Sequence, residues 1–433
     1  MLFGRRKLKT KRPTPAQPAQ PPGEAEPPTV TVTPSSSDGA PVTTPPPIAA
    51  EPARPLPPPF MAGETLPAAE VGADLTIDCT AVTHNWRTLA SRAAPADCAA
   101  VVKADAYGCG LEPITSTLAA AGCSTFFVAH LAEARRVRAA APAAVIYVLN
   151  GIGPGSAHCF AEIDARPVIG NLGELTEWDA FRTVHSWQGG AALHFDTGMN
   201  RLGLPMEEAA SLAGRVRSMP NHGISLVMSH FACADEPKHP LNQKQIRDFQ
   251  ELRVMFRGVA ASLANSAGIF LDSSAHFDLV RPGIALYGAN PTVANVNPMR
   301  PVVELRGRLL QARIIPEGAT VGYGATWAAK RVSRIAIVSV GYADGFSRPI
   351  GSSDARRGGE AVVHGKRCPI IGRVSMDLLA IDITELTKDV HRGDWVTLIG
   401  EGIGVDEMAG WARTINYDVL TRLGHRFHRV WKH

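Results

Sequence analysis

Two segments of the sequence place a basic side chain where it could do chemistry. Residues 100–110 (AVVKADAYGCG) carry Lys103 directly after an apolar run, and an amine of lowered pKa at this point could form a Schiff base. Residues 193–203 (LHFDTGMNRLG) carry Arg201 in a glycine-rich loop, where a guanidinium could hold a carboxylate through two hydrogen bonds. Taken alone, the first segment is more typical of a surface lysine, and the second is more typical of an arginine in a structural salt bridge.

Two further groups of segments combine small residues with tyrosines. Residues 264–268 (ANSAG) and 280–288 (VRPGIALYG) expose backbone amides that could bind a phosphate. Residues 321–327 (VGYGATW) and 340–346 (VGYADGF) carry tyrosines between glycines, and GRVSMD follows at 372–377. Such tyrosines often pack at chain bends, and they can also present a phenol to a ligand.

The elements that must position these residues form two series. From about residue 74, apolar runs alternate with amphipathic stretches, which predicts parallel βαβ units and an eight-stranded α/β barrel over residues 70–300. In such a barrel, functional residues lie at the carboxyl ends of the strands, where Lys103 falls. Residues 301–433 change to strands separated by turns, which predicts a C-terminal, mostly antiparallel β domain.

The beginning of the chain differs in composition from the rest of its 433 residues. The first 60 residues contain 17 of the 34 prolines and most of the net charge of +4, so the remainder is close to neutral. Because this segment is poor in aromatic residues, it cannot bury enough apolar surface to fold, and we expect a disordered basic extension over residues 1–65. A near-neutral body also disfavours nucleic acid as a partner.

The cysteines and the apolar runs indicate the cellular compartment in which the protein is expected. The seven cysteines are scattered, odd in number and without a CxxC pair, which indicates a reducing cytoplasm and no structural metal site. The basic N-terminus lacks the apolar segment of a signal peptide. No run approaches the ~18 apolar residues that a membrane helix needs, so we expect no membrane partner.

Taken together, nine segments resemble the alanine racemase family of fold-type III enzymes, which use pyridoxal 5'-phosphate (PLP). In chain order they are VVKADAYG, DTGMNRLG, SHFACAD, NSAG, VRPGIALYG, GYGATW, GYADGF, GRVSMD and TINYDVLTRLG. The resemblance runs from about residue 74 to the C-terminus. It implies a PLP-dependent isomerase that interconverts L-alanine and D-alanine by a two-base mechanism and supplies D-alanine for peptidoglycan.

The resemblance also assigns roles to residues. It implies that Lys103 holds PLP and is the base for the D-enantiomer, while Tyr323 is the opposite base and comes from the partner subunit of a head-to-tail homodimer. The implied cofactor-binding residues are Lys103, Tyr107, His230, Ser266, Arg281, Gly283, Ile284 and Tyr417. The implied substrate-binding residues are Arg201, Met376, Tyr342 and Asp377.

Two positions depart from the family pattern. His194 stands where the family often has a lysine, carbamylated in some members, and it cannot supply the same fixed negative charge to Arg201. We therefore hypothesise that a bound anion such as chloride takes that role. Ser262 stands where the family often has a histidine, so the hydrogen bonds behind the cofactor ring are expected to differ.

Three alternatives follow from the same segments. The first is a broader racemase on this scaffold that accepts serine or lysine. The second is a fold-type III decarboxylase, which GRVSMD and the GYGATW tyrosine disfavour. The third is a non-enzymatic PLP-binding protein, a class that usually lacks a β domain.

We predict that deleting residues 1–60 leaves kcat and PLP affinity unchanged, because none of the nine segments falls within them. Racemisation assays and PLP titrations of the truncated and full-length proteins provide the measurement. A large loss of either property would place the extension in the catalytic body.

Overall fold

Two main sheets organise the part of the chain that the computed structural model describes, residues 65–219, 221–292 and 296–433. The extension expected over residues 1–65 lies, except for Thr65, outside the described residues. The strands of the first half are β1 (Ala73–Asp78), β2 (Asp97–Cys98), β3 (Ala100–Val101), β4 (Thr125–Val128), β5 (Val145–Val148), β6 (Ala165–Ile169), β7 (Ala191–His194), β8 (Ile224–Met228), β9 (Ala260–Ser262) and β10 (Leu279–Val280). Those of the second half are β11 (Val303–Ile315), β12 (Ser333–Val338), β13 (Glu360–Val363), β14 (Lys366–Ile371), β15 (Leu379–Asp382), β16 (Trp395–Ile399) and β17 (His428–Lys432).

Helices separate most of the strands of the first half. They are α1 (Cys79–Ala93), α2 (Lys103–Tyr107), α3 (Leu111–Ala120), α4 (Leu131–Ala140), α5 (Ala157–Glu162), α6 (Leu172–His185), α7 (Ala209–Ser218) and α8 (Pro240–Met255), with α9 (Val405–Ala412) and α10 (Asn416–Thr421) near the end. Side chains fix several starts: Asp78 accepts from the Ala81 N–H and Asn171 from the Glu174 N–H. Among the described helices, none is long and apolar enough to cross a membrane.

Strands β3 to β9 form one parallel sheet in chain order. Their side chains are buried on both faces, as in β4 (TFFV), because helices cover the sheet. The predicted parallel α/β architecture is therefore present, with seven strands in this sheet rather than eight. Strand β10 pairs in parallel with β2 as a separate two-stranded unit.

The second sheet has eight strands in the order β12-β15-β14-β13-β16-β11-β1-β17. Its pairs are antiparallel except for β1–β17, which agrees with the predicted mostly antiparallel architecture. Strand β1 precedes all the parallel strands in the chain, yet it lies between β11 and β17. The second sheet is thus completed by residues from the start of the described chain.

Strand β17 also contacts the segment that follows Lys103. Arg429 Nη1 donates to the Gly108 carbonyl (2.7 Å), and Trp431 Nε1 donates to the Cys109 carbonyl (2.8 Å). Arg429 is buried, so these hydrogen bonds are shielded from competing water. The second sheet therefore fixes the far end of the lysine-bearing turn.

Asn85 ties helix α1 to the chain that leads into β11. Its side chain is fully buried, its Nδ2 donates to the carbonyls of Leu286 (3.2 Å) and Arg300 (2.9 Å), and its Oδ1 accepts from the Arg300 N–H (2.8 Å). One amide therefore satisfies three backbone groups in the interior.

We predict that Asn85→Leu lowers the free energy of unfolding by about 2–3 kcal/mol, because backbone groups would be left buried without partners. Urea denaturation checks this. The control is Arg87→Ala, an exposed position on the same helix, which should change stability by less than about 0.5 kcal/mol. Equal effects of the two substitutions would contradict the assignment.

Candidate active site

A cavity of about 470 Å³ opens at the carboxyl ends of the parallel strands. Lys103 follows β3, His194 ends β7, and Arg281 follows β10. The cavity is lined by every expected cofactor-binding residue and by one expected substrate-binding residue. These are Lys103, Tyr107, His230, Ser266, Arg281, Gly283, Ile284, Tyr417 and Arg201.

Lys103 begins a left-handed turn at the edge of this cavity. The apolar run before Lys103 was expected to form a strand up to the lysine, but β3 ends at Val101. Beyond the lysine, the φ values are 55° at Ala104, 54° at Asp105 and 53° at Ala106. Burial lowers the pKa of Lys103, the nearby positive charge of Arg201 lowers it further, and Glu133 opposes both. The neutral amine, which is the nucleophilic and basic form, is thus favoured relative to a lysine in water.

Arg281 is buried behind the cavity and is held by neutral acceptors. Its Nη1 donates to Ser262 Oγ, and its Nη2 donates to the carbonyls of Ser229 (2.6 Å) and Leu263 (3.3 Å). Burial lowers the pKa of this guanidinium to about 9. His230 Nδ1 lies 3.4 Å from Nη2, so the imidazole contacts the same cation. Ser262 therefore holds Arg281 at the position where a histidine was anticipated.

The two histidines of the cavity are held in the neutral form. Burial and the positive charge of Arg281 lower the pKa of His194 to about 4, and the same causes lower the pKa of His230 well below its ordinary value. His194 therefore carries no charge near neutral pH. Among the described residues that line the cavity, none is acidic. The cavity thus favours anionic ligands.

One wall of the cavity has the hydroxyls and the close-packed backbone that a phosphate group would need. Ser266 Oγ accepts from the Gly283 N–H (2.8 Å) and the Ala285 N–H (3.3 Å), which orients the backbone at the start of a short 3₁₀ turn. A Cβ on Gly283 would lie 2.2 Å from Tyr107 Oη, so only glycine lets this hydroxyl approach the backbone. The Tyr417 ring lies 6.0 Å from the Tyr107 ring. Hydroxyls and backbone amides are the donors that phosphate binding uses.

The residues present therefore fit PLP. The phosphate wall, the Lys103 amine and the buried Arg281 face one cavity, and together they would hold the phosphate, the aldehyde carbon and the ring of the cofactor. A lysine of lowered pKa is suited to bind an aldehyde.

The remaining four expected residues lie together elsewhere, and we call Tyr323, Tyr342, Met376 and Asp377 the exposed tyrosine group. Tyr323 is 68% exposed, Tyr342 41% and Met376 54%, and none of the four lines the cavity of its own chain. The Tyr342 N–H donates to the Ser375 carbonyl (3.0 Å), which joins two of the three segments of the group.

Backbone and side-chain contacts position this group. The Ala343 N–H donates to the Met376 carbonyl (2.9 Å), and Arg426 donates to Asp377 (2.8 Å). A Cβ on Gly324 would lie 2.8 Å from Arg373 Nη1, so the Arg373 side chain packs against the loop of Tyr323. The four side chains thus share one surface of the chain.

Several cavity residues were missed from the sequence. Phe127, Asn150 and Met228 line the cavity at or just beyond the ends of β4, β5 and β8. The rule that barrel enzymes use strand ends could have found them. Glu133, whose carboxylate accepts from the Ala104 N–H (2.7 Å), carries no comparable signal because it lies inside an ordinary helical segment.

A strand-end lysine, a phosphate wall and a buried guanidinium in one cavity define a PLP-binding α/β enzyme. Two family models match almost all of the described chain: "Alanine racemase, N-terminal domain" at residues 77–291 and "Alanine racemase, C-terminal domain" at 302–431. The chain belongs to the alanine racemase family, and its cofactor is PLP.

Individual relatives agree with the family match. The chain is 50% identical over 361 residues to alanine racemase of Methylobacterium sp. strain 4-46, covering 83% of this chain and 98% of the relative. It is similar to two Agrobacterium fabrum proteins, a biosynthetic alanine racemase (44% identity, 82% and 92% covered) and a catabolic one (42%, 82% and 91%). The crystal structure of Bartonella henselae alanine racemase with covalently bound pyridoxal phosphate superposes with a TM-score of 0.79 at 37% identity, covering 83% of this chain and 99% of that one.

We predict that Gly283→Ala lowers the affinity for PLP at least about tenfold, because the new Cβ displaces the Tyr107 hydroxyl from the phosphate wall. Fluorescence titration of the PLP-free protein provides the measurement. The control is Gly410→Ala on helix α9, where a Cβ meets no atom within 4 Å. An unchanged affinity in Gly283→Ala would contradict the assignment of this wall.

Proposed function

We propose that this chain interconverts L-alanine and D-alanine with PLP as cofactor. The observation that carries the proposal is the convergence of Lys103, Arg201 and Arg281 on one cavity without acidic lining, in a chain of the alanine racemase family. Such a cavity suits an anionic cofactor together with the carboxylate of an amino acid. When bound, PLP withdraws electrons from the bonds at the amino acid Cα, which makes the Cα proton removable.

The residues of this chain then have distinct roles. Arg201 holds the substrate carboxylate together with the backbone of the partner subunit's Met376, so that Cα faces the two bases. Lys103 Nζ exchanges the Cα proton on the face from which D-alanine reacts, and Tyr323 Oη exchanges it on the opposite face. The lowered pKa of Lys103 supports this role, because a neutral amine can accept a proton near neutral pH.

Arg281 holds the ring of the cofactor by its nitrogen. Even with its lowered pKa of about 9, Arg281 keeps its proton near neutral pH, so it would leave that nitrogen unprotonated. His230, which contacts Arg281, is neutral and therefore has no extra proton to give to the ring nitrogen of the cofactor. Tyr342 and Asp377 lie on the route by which substrate reaches the cavity.

We further infer that the chain acts as a head-to-tail homodimer in which each cavity receives Tyr323 from the partner subunit. The support is that the exposed tyrosine group does not line the cavity of its own chain, although two-base chemistry needs a base on each face. In such a dimer the partner's β-rich sheet would cover the open side of the cavity and exclude water.

The parallel sheet is proposed to close as an eight-stranded barrel, with β10 as the eighth strand. Hydrogen bonds on both sides of β10 support this closure. The Arg281 N–H donates to the Ala264 carbonyl (2.9 Å), beyond β9, and the Val101 N–H of β3 donates to the Pro282 carbonyl (2.9 Å). The barrel domain would span residues 70–300 and the β domain residues 301–433.

We also propose that the D-alanine formed by this chain is used for peptidoglycan synthesis in a bacterial cytoplasm. Relatives named biosynthetic support this role, and the unpaired state of all seven cysteines is consistent with a reducing compartment.

A hybrid dimer tests both the chemistry and the shared site. We predict that Lys103→Ala abolishes racemisation and that Tyr323→Phe lowers kcat roughly 10²–10⁴-fold in both directions. Co-expression of the two variants with different affinity tags yields hybrids in which one of the two sites keeps both native residues. These hybrids should show about half of the native activity per dimer. Circular dichroism of the reaction of each enantiomer provides the rates.

Two results would contradict the proposal. Retained two-way activity in Tyr323→Phe would remove the second base. An inactive hybrid would show that Tyr323 serves the cavity of its own chain, because every hybrid site would then carry one substitution.

A further inference from the structure

The turn that carries Lys103 is held in a conformation that its residues do not favour. Ala104, Asp105 and Ala106 have both φ and ψ near +50°, and Tyr107 continues with a φ of 55°. None of them is glycine, and left-handed geometry is unfavourable for such residues, because Cβ comes too close to the backbone carbonyl oxygen. A strained turn of this length persists only where neighbouring groups hold it, and such turns are concentrated at functional sites.

The lysine end of the turn is held by Glu133 of helix α4. Its Oε1 accepts from the Ala104 N–H (2.7 Å), one residue after Lys103. Its Oε2 accepts from the N–H groups of Ala129 (2.8 Å) and His130 (3.1 Å), just before the helix. One carboxylate therefore joins the lysine-bearing turn to the end of the neighbouring strand β4.

The rest of the turn is held by other groups. Asp105 accepts from the Leu111 N–H (3.1 Å) and from Arg136 (2.8 Å), and Arg429 donates to the Gly108 carbonyl (2.7 Å). These contacts act beyond Ala104. Glu133 thus acts at the point where a shift of the backbone would move the Lys103 side chain most directly.

The charge of Glu133 also acts on Lys103. Burial and Arg201 lower the pKa of the amine, whereas the Glu133 carboxylate raises it. Loss of this negative charge should therefore lower the pKa of Lys103 further. A glutamate that capped a helix remote from Lys103 would have no such effect on the amine.

We propose that Glu133 is a positioning residue for the reaction, whose carboxylate holds the left-handed turn so that the Lys103 amine faces the cavity. This inference rests on the proposed function, since it concerns the amine that binds PLP. The two-base mechanism by itself does not require this contact. The inference adds that helix α4 must supply a hydrogen-bond acceptor to the backbone N–H beside Lys103.

The experiment follows attachment of PLP to Lys103 rather than turnover. PLP is added to the PLP-free protein across a pH series, the adduct is trapped with borohydride, and the Lys103 peptide is quantified by mass spectrometry. The plateau rate at high pH reports the position of the neutral amine, and the midpoint of the profile reports its pKa.

Three substitutions separate position, charge and simple helix capping. Glu133→Gln keeps the shape, but its single amide oxygen cannot accept from Ala104 on one side and from Ala129 and His130 on the other, so its NH₂ faces a backbone N–H. Glu133→Asp keeps the charge but shortens the reach. Glu174→Gln is the matched control, because Glu174 accepts from the Gly170 N–H (2.8 Å) at the equivalent start of helix α6, away from the lysine turn.

We predict that Glu133→Gln lowers the plateau rate roughly 10- to 100-fold and moves the midpoint to lower pH. Glu133→Asp should lower the plateau rate with a midpoint near that of the native chain, and Glu174→Gln should match the native chain in both. If Glu133→Gln is not recovered folded, Glu133→Asp decides the position of the amine.

Native behaviour of the recovered Glu133 variants would overturn the inference, and so would equal losses in Glu133→Gln and Glu174→Gln. Failure of the proposed function is distinguishable, because the native chain itself would then attach no PLP at Lys103.

Discussion

The burial of the Arg281 guanidinium among neutral acceptors is the constraint on which the site depends. A buried charge persists only when hydrogen bonds replace its water, and here the acceptors come from residues at the ends of β8 and β9. A second layer fixes those acceptors: the Ser229 hydroxyl pairs with Thr197 (2.8 Å), and Gln245 of helix α8 donates to Thr197 (3.1 Å) and to the His230 carbonyl (2.8 Å). The ends of strands β7, β8, β9 and β10 must therefore keep fixed positions relative to one another.

This constraint also sets the protonation of the cavity. Burial lowers the pKa values of His194 and His230, and the positive charge of Arg281, which has no acidic partner in the lining, lowers them further and favours the neutral forms. The imidazoles then pack beside the cation without adding charge. The lasting positive charge in the cavity is left to Arg201 and Arg281. Selectivity for anions is thus a property of the whole cavity rather than of one residue.

Much of the fold and of the cavity could be predicted from the sequence, because both depend on local patterns. Alternating apolar runs predicted the parallel strands, and Lys103 was singled out because it follows one of them. Arg281 and Gly283 were assigned through the resemblance of their segment to the alanine racemase family. Long-range pairing was not predictable: β1 was grouped with the parallel strands, although it pairs with β11 and β17. Glu133 was missed for a similar reason, since its contact with Ala104 depends on how α4 packs and not on spacing.

The contacts from strand β17 to the lysine turn have a consequence for the order of assembly. Arg429 and Gly108 are separated by 321 residues, and Trp431 and Cys109 by 322. Closing loops of this length is slow, because the chain must lose conformational entropy before the contacts form. During synthesis on a ribosome, these contacts can form only after nearly the whole of this sequence has been made. The parallel strands emerge first and can pack before β17 exists. The far end of the lysine turn is therefore secured only at the end of synthesis, whereas Glu133 can hold the end beside Lys103 earlier.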